Sequence, residues 1–173
     1  MSRIREASWG LVMGSYNSHV TAVNYFLRGF EAQGQGDAQT ALDFYNLSIV
    51  AYPTPEAYTF RGWAFSVLGD YERAIFECFQ AIKLDPEFGN PYNDIGSYLI
   101  KSERWNEAIE WFERALEAKR YSSRWFPYFN LGRVYEHKCD WLKAKKYYSQ
   151  ALAIDQCFTA AQAGVLRMRA RLN

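Results

Sequence analysis

The chain has 173 residues, which is the length of one ordinary domain and long enough to bury a core of its own. Its 20 basic residues nearly balance its 19 acidic residues, so the formal net charge is +1. A nucleic-acid-binding protein normally carries a clear basic excess, and this balance therefore argues against DNA or RNA as a partner.

The first 20 residues match no other part of the sequence. The basic residues Arg3 and Arg5 precede an apolar run that is short and interrupted by Glu6 and by glycines, so the start does not resemble a secretory signal. No stretch of the sequence approaches the apolar length that a membrane span needs. We expect residues 1–20 to form a tail, an extra helix packed on the adjoining part of the chain, or a segment that lies in a groove.

From about residue 21, one residue pattern recurs four times, at intervals of 33, 34 and 36 residues. Four registers stay in step, which chance similarity does not produce, so the chain is a tandem array of one structural unit. The registers are an aromatic residue (Tyr25, Tyr58, Tyr92, Tyr128), a glycine (Gly29, Gly62, Gly96, Gly132), a small residue (Ala41, Ala74, Ala108, Ala144) and a second small residue (Ser48, Ala81, Ala115, Ala151).

Each copy of the pattern predicts a hairpin of two helices. In the second copy, apolar and small residues at helical spacing occupy 58–65 and 74–82, and Gly69 lies in the turn between them. Pro86 ends the second helix because proline has no amide donor. The glycine of the first helix and the alanine of the second predict a close approach of the two helix backbones.

Residues 159–173 predict one more helix after the fourth copy. Its apolar residues alternate with Arg167, Arg169 and Arg171. The last unit of a repeat array needs a solvated outer face, so we interpret this helix as a C-terminal cap. A basic helix on a membrane surface is the alternative, but the segment is short for that role.

The motif Tyr92-x-x-Ile95-Gly96-x-x-Leu99, followed by Ala108-x-x-x-Phe112-x-x-Ala115, closely resembles the tetratricopeptide repeat. The resemblance covers about residues 22–156, in repeats at about 22–54, 55–88, 89–124 and 125–158. It implies an all-α fold: a right-handed superhelical solenoid of four helix-turn-helix units with a C-terminal capping helix.

The chain departs from the family pattern at several positions. Arg28 and Arg61 stand where the family usually has leucine, and Cys78 stands where it has an aromatic residue. The third interval carries two extra residues around 121–124. We expect these departures to change packing angles but not the fold.

The parts of a catalytic or metal site are missing from the sequence. The two histidines, His19 and His137, lie far apart along the array, and Cys78, Cys139 and Cys157 form no C-x-x-C pair. We therefore predict a protein without enzymatic activity, metal or cofactor. Unpaired, widely spaced cysteines fit a reducing compartment, so we expect a cytoplasmic protein.

The resemblance implies that the first helices of the hairpins line a concave groove that binds a protein or peptide partner. The groove residues follow one step after the buried positions, because successive residues of a helix are rotated by about 100°. The predicted contact residues are Phe26, Phe30, Thr59, Trp63, Asn93, Ser97, Phe129, Asn130, Arg133, His137 and Arg167.

The predicted groove is apolar at one end and polar at the other. Phe26, Phe30 and Trp63 would hold apolar anchors of a partner, whereas asparagine side chains pair with a peptide backbone and Arg133 binds a carboxylate. We expect an extended or helical peptide that is apolar at one end and polar or acidic at the other. Two alternatives stay open: residues 1–20 of the same or a neighbouring chain cover these aromatics in a self-assembling scaffold, or the aromatics form another oligomer contact.

One specialised role of the family does not fit. Tetratricopeptide domains that hold the acidic C-terminus of heat-shock chaperones use lysine, asparagine and arginine on successive first helices. The corresponding residues in this chain are Phe26, Phe30, Phe60, Asn90 and Asp94. The sequence therefore predicts a non-catalytic interaction adaptor whose partner is not the acidic chaperone C-terminus.

Overall fold

The computed structural model describes the backbone of residues 2–173 and the side chains of residues 16–173. Regular structure in this part of the chain is helical, apart from one isolated bridge between Phe88 and Arg120. The predicted all-α class is confirmed. The helices are α1 (Ser2–Gly34), α2 (Ala38–Ala51), α3 (Pro55–Val67), α4 (Tyr71–Leu84), α5 (Asn90–Lys101), α6 (Trp105–Glu117), α7 (Trp125–His137), α8 (Trp141–Ile154) and α9 (Thr159–Leu172).

The helices form two compact units, Met1–Leu84 and Asp85–Asn173. In the first unit, α1 packs on α2, α3 packs on α4, and α2 also contacts α3. In the second unit, α5 packs on α6, α7 packs on α8, and α9 lies against α8. Each predicted hairpin is therefore a pair of packed helices, with α9 as the additional C-terminal helix.

The N-terminal segment belongs to the first helix of the first hairpin. Helix α1 is continuous from Ser2 to Gly34, a length of 33 residues. Residues 2–20 therefore extend the helix that carries Tyr25 and Gly29, and the backbone has no break at the boundary between segment and repeat.

The turns inside the hairpins share one construction. A residue with left-handed backbone geometry ends the first helix, at Gly36, Gly69, Glu103 or Cys139. In three of the four turns an aspartate follows and accepts a hydrogen bond from the backbone N–H three residues later, which caps the second helix. These bonds are Thr40 to Asp37 (3.0 Å), Arg73 to Asp70 (3.0 Å) and Lys143 to Asp140 (3.1 Å).

The pattern glycine of three repeats makes room for an aromatic ring and not mainly for a helix backbone. A Cβ atom added at Gly132 would lie 2.6 Å from the ring of Tyr148, and one at Gly96 would lie 2.5 Å from the ring of Phe112. Gly29 has the same relationship to Tyr45, at 2.6 Å. The expected approach of two backbones is therefore replaced by insertion of a ring from the second helix.

The second repeat lacks that ring, and its glycine has a different neighbour. The nearest atom to a Cβ at Gly62 would be the backbone oxygen of Ala74, at 3.0 Å, and the thiol of Cys78 would lie at 3.6 Å. Next to this glycine, the Arg61 guanidinium donates to the Glu77 carboxylate at 2.7 Å. The two departures from the family pattern in this repeat, Arg61 and Cys78, therefore both lie beside Gly62. A buried ion pair between Arg61 and Glu77 joins α3 to α4.

The extra residues of the third interval are ordered by contacts inside the second unit. The Arg120 N–H donates to the Glu87 carbonyl (2.9 Å), and the Gly89 N–H donates to the Arg120 carbonyl (3.1 Å). The Arg120 guanidinium bonds to Asp85 at 2.7 Å. Tyr121 is buried against Gly89. The longer connection between α6 and α7 therefore packs on the segment that leads into α5.

Candidate functional site

The first unit carries a cluster of aromatic side chains on α1 and α3, which we call the aromatic surface and define as Phe26, Phe30, Phe60 and Trp63. The Phe60 ring lies edge-on to Phe26 at a centroid distance of 5.1 Å and to Phe30 at 5.7 Å. Phe26, Phe60 and Trp63 are partly buried against the core around Tyr45. Phe30 is 52% exposed. The cluster is anchored in the core and presents one large ring to solvent.

A small apolar cavity of about 250 Å³ adjoins the aromatic surface. Phe26 forms part of its wall, and the His19 ring at its edge lies 4.9 Å from the ring of Tyr52. A space of this size fits one apolar side chain of a partner. The repeat pattern gave no sign of this cavity, because its walls come from three helices: His19, Ala22, Val23, Phe26, Ser48, Thr54 and Glu56.

Thr59 differs from the other predicted contact residues of the first unit. It is 3% exposed, and its hydroxyl donates to the Pro55 carbonyl four residues earlier, at 2.7 Å. Its polar group is therefore used inside its own helix.

The second unit carries a cluster of polar side chains on α5 and α7, which we call the polar cluster and define as Asn93, Ser97, Asn130 and Arg133. The Asn130 amide donates to the Asn93 side-chain oxygen at 3.1 Å and to the Ser97 hydroxyl at 3.4 Å. Arg133 donates to the Asn130 side-chain oxygen at 3.1 Å. Four predicted contact residues are thus brought together, with both asparagines buried and Arg133 partly exposed.

Asp94 adjoins the polar cluster and was not among the predicted contact residues. Its carboxylate accepts a long hydrogen bond of 3.4 Å from the Asn93 amide. Burial of the carboxyl group raises its pKa from the ordinary value of 3.8 to about 7, although the residue as a whole keeps some exposed surface. Within the described residues, no cationic side chain contributes to the shift of this pKa.

The remaining predicted residues of the second unit have separate surroundings. Arg167 donates two bonds of 2.9 Å to Glu136, and these bonds hold the pKa of that carboxyl below its usual range. The Phe129 ring packs against Tyr148 and Phe158. These contacts dock α9 on the fourth hairpin, so Phe129 and Arg167 serve the packing of the cap.

His137 lies on another surface, at the turn end of its hairpin. Its ring stacks on Trp105 at a centroid distance of 4.1 Å, with the two planes 8° apart. The pair lines an open cleft of about 660 Å³ together with charged residues of both signs. The remaining walls of the cleft are Glu103, Arg104, Asn106, Glu107 and Lys138.

Two further features of the described residues concern metal binding and membrane spans. No group of three or more His, Cys, Asp or Glu side chains is arranged for a metal ion within that part of the chain. None of its helices combines the length and the apolar character required to cross a membrane.

Two family models, both described as tetratricopeptide repeat, match the chain at residues 55–88 and 87–156. Small glutamine-rich tetratricopeptide repeat-containing protein 2 of Mycosarcoma maydis is 34% identical over 90 residues, which are 51% of this chain and 26% of that protein. Anaphase-promoting complex subunit 3 of Schizosaccharomyces pombe is 29% identical over 123 residues, 70% of this chain and 18% of that protein. The chain thus spans about a quarter or less of these relatives.

Solved structures with the same fold include pilF of Pseudomonas aeruginosa, with a TM-score of 0.83, 18% identity and coverage of 90% of this chain and 70% of pilF. The crystal structure of MamA aligns with a TM-score of 0.66 and 23% identity over 81% of each chain. At such identities the likeness concerns the fold alone. The two repeat models together cover more than half of the sequence, and they establish that this chain belongs to the tetratricopeptide repeat family.

Proposed function

We propose that this chain is a non-catalytic adaptor that binds an extended or helical peptide segment of a partner protein on the concave side of its repeats. The family is built for protein–protein interaction, because stacked hairpins expose a continuous row of first helices. The observation that carries the proposal is the guanidinium of Arg133. Among the described residues, its side chain makes one hydrogen bond, to the Asn130 side-chain oxygen, which leaves further N–H donors for a ligand.

The polar cluster supports recognition of a carboxylate or a peptide carbonyl. A guanidinium carries five N–H donors in a planar fork. In Arg133, the bond to Asn130 uses one of its three nitrogens. Asn130 is itself held by Asn93 and Ser97, so Arg133 is oriented before a ligand arrives. An oriented donor loses less conformational entropy on binding than a mobile one.

The aromatic surface supports recognition of an apolar anchor residue. Phe30 is more than half exposed, whereas the rings behind it are fixed by contact with the core around Tyr45. Rigid aromatic side chains next to a cavity are typical of the residues that dominate peptide-binding energies.

The same proposal places the protein in the cytoplasm and excludes the acidic chaperone C-terminus as its ligand.

The experiment that tests this proposal is selection from a phage-displayed peptide library, followed by titration of the selected peptides. Arg133→Glu is expected to weaken peptides with an acidic residue by tenfold or more, which corresponds to about 1.4 kcal/mol. Trp63→Ala and Phe30→Ala are expected to weaken peptides that require an apolar anchor. The matched controls are Arg169→Glu on α9 and Phe76→Ala on α4, both exposed in the structure.

The outcomes separate binding from stability. Unchanged thermal unfolding with weaker peptide binding supports the proposal. If the Arg133 and Phe30 variants bind the selected peptides as well as the control variants do, the proposed surfaces are wrong.

The second candidate is a self-assembling scaffold, in which the N-terminal segment occupies the groove of its own or a neighbouring chain. The continuity of α1 from Ser2 to Gly34 favours an occupant from a neighbouring molecule, because the first part of an unbroken helix cannot fold back onto Phe30 of the same helix. Deletion of residues 1–18 tests this candidate. Loss of oligomers both on this deletion and in the groove variant Trp63→Ala would support it, whereas a wild-type protein that is already monomeric and binds peptides better after the deletion would contradict exchange between molecules.

A further inference from the structure

One face of α1 carries a row of apolar side chains that the first unit leaves uncovered. We call it the α1 stripe and define it as Tyr16, Val20, Val23, Leu27 and Phe30. These residues follow one another at separations of four, three, four and three, so they lie in one line along the helix. Each of the five is between 40% and 63% exposed.

The equivalent position in the second and fourth repeats is used to stack one hairpin on the one before it. Leu27 follows the pattern aromatic of its repeat by two residues, as do Phe60 and Asn130. Phe60 packs on the rings of α1 and α2, and Asn130 bonds to Asn93 on the preceding first helix of its unit. In α1 the same face has no hairpin in front of it within the described residues, and Leu27 is left exposed.

The spacing of the stripe is suited to pairing with a second copy of itself. Apolar residues that alternate at separations of three and four form the seam of two-stranded helical pairs. The sequence continues the same spacing towards the N-terminus at Met13 and Trp9. Between Tyr16 and Phe30 the one charged residue is Arg28, and its guanidinium lies over the Phe44 ring of α2, so two copies of this face can meet with little repulsion between like charges.

The opposite end of the array is a poor partner for this stripe. In a head-to-tail assembly of several copies, α9 of one copy would pack against α1 of the next. The outer residues of α9 include Arg169 and Arg171, both exposed. Covering these guanidinium groups with an uncharged apolar face would remove them from water without an ion partner, which is costly. A symmetric contact between two stripes has no such cost.

We propose that two copies of this chain associate by two-fold pairing of their α1 stripes. The contact covers apolar area on the order of 1,000 Å², which is near the lower limit for a specific protein interface. The dimer therefore dissociates on dilution. Since the seam is apolar and uncharged, it withstands high salt concentration. The stripe shares Phe30 with the aromatic surface and Val23 with the adjoining cavity, so the test of this inference uses Tyr16 and Leu27, which belong to neither.

The test is the molar mass of the full chain by sedimentation equilibrium over a range of concentrations, in low and high salt. The wild type is expected to reach twice the monomer mass as concentration rises. Leu27→Glu and Tyr16→Glu are each expected to weaken the dimer at least tenfold. Val50→Glu is the matched control, because Val50 is a large exposed aliphatic residue of the same unit on α2. Helical circular dichroism confirms that each variant is folded.

Three outcomes would overturn the proposal. The first is a monomer at every concentration. The second is a dimer that survives both Leu27→Glu and Tyr16→Glu. The third is a mass that grows beyond the dimer, which would indicate head-to-tail assembly. Where the second outcome is found, loss of the dimer in Trp63→Ala would assign self-association to the groove.

Discussion

The guanidinium of Arg61 on α3 donates two hydrogen bonds to one carboxylate oxygen of Glu77 on α4, at 2.7 and 2.9 Å. The Glu77 side chain is only 7% exposed. Burial raises the pKa of Glu77, and the Arg61 partner opposes that shift. Arg61 also donates to Asn46 on α2, at 2.8 Å, so one side chain ties three helices of the first unit together.

We predict that Arg61→Leu, which restores the residue usual in the family, destabilises this protein. The change leaves the Glu77 carboxylate buried without its cation, and breaking a buried pair from one side costs about 3 to 5 kcal/mol. Urea unfolding measures the loss. The double variant Arg61→Leu/Glu77→Met is expected to recover most of it, because no buried charge remains. Equal loss in the single and double variants would contradict this account.

The contact between Gly132 and Tyr148 predicts a difference between this glycine, in the interior of α7, and Gly34, the last residue of α1. Gly132→Ala places a methyl group 2.6 Å from the Tyr148 ring and is expected to cost about 1 to 3 kcal/mol in unfolding free energy. Gly34→Ala is the matched control, since nothing lies within 4 Å of its added methyl group. That variant should be neutral or slightly more stable. A tolerated alanine at Gly132 would show that the ring moves freely.

The buried carboxyl of Asp94 predicts a pH dependence of stability. Its folded pKa of about 7 is above the ordinary 3.8, so the protonated form favours the folded state. This contribution is complete below about pH 4 and is lost as the pH rises through about 7. Between about pH 5 and pH 8, the wild type is expected to lose roughly 2 to 3 kcal/mol that Asp94→Asn does not lose.

The measurement is urea unfolding of both proteins across this pH range. The difference between wild type and Asp94→Asn isolates this carboxyl, because all other titrating groups are common to both. Parallel pH profiles would refute the assignment.

The carboxylate of Glu136 predicts the opposite sign. Its pKa is lowered, first by the Arg167 bond, so its stabilising contribution is present above the ordinary value of 4.5 and is lost as the pH falls below it. Arg167 is half exposed, so Arg167→Ala is expected to cost no more than about 1 kcal/mol. Hydrogen exchange should show faster opening of α9 in this variant and unchanged exchange in the first unit. Uniform loss of protection would contradict a local role in docking the cap.

Helical spacing along the sequence does not decide which of the predicted contact residues are exposed. One step along a helix from a buried residue leads to another face, and for Phe30 that face is solvent. The same step at Thr59 and Asn93 leads to buried positions. Whether a helix face is open depends on the hairpin placed against it, and that hairpin is distant in sequence.

The amino-acid sequence by itself determined the four hairpins, their registers and the helical class, because periodicity and turn chemistry are local and repeat at every copy. The tertiary structure decided which ring fills the space beside Gly132, that Arg61 and Glu77 meet, and that α1 runs unbroken from Ser2. It also decided which polar side chains are buried. Burial is a property of neighbouring surfaces, so it follows from the packing of helices against one another and not from the spacing of residues within one of them.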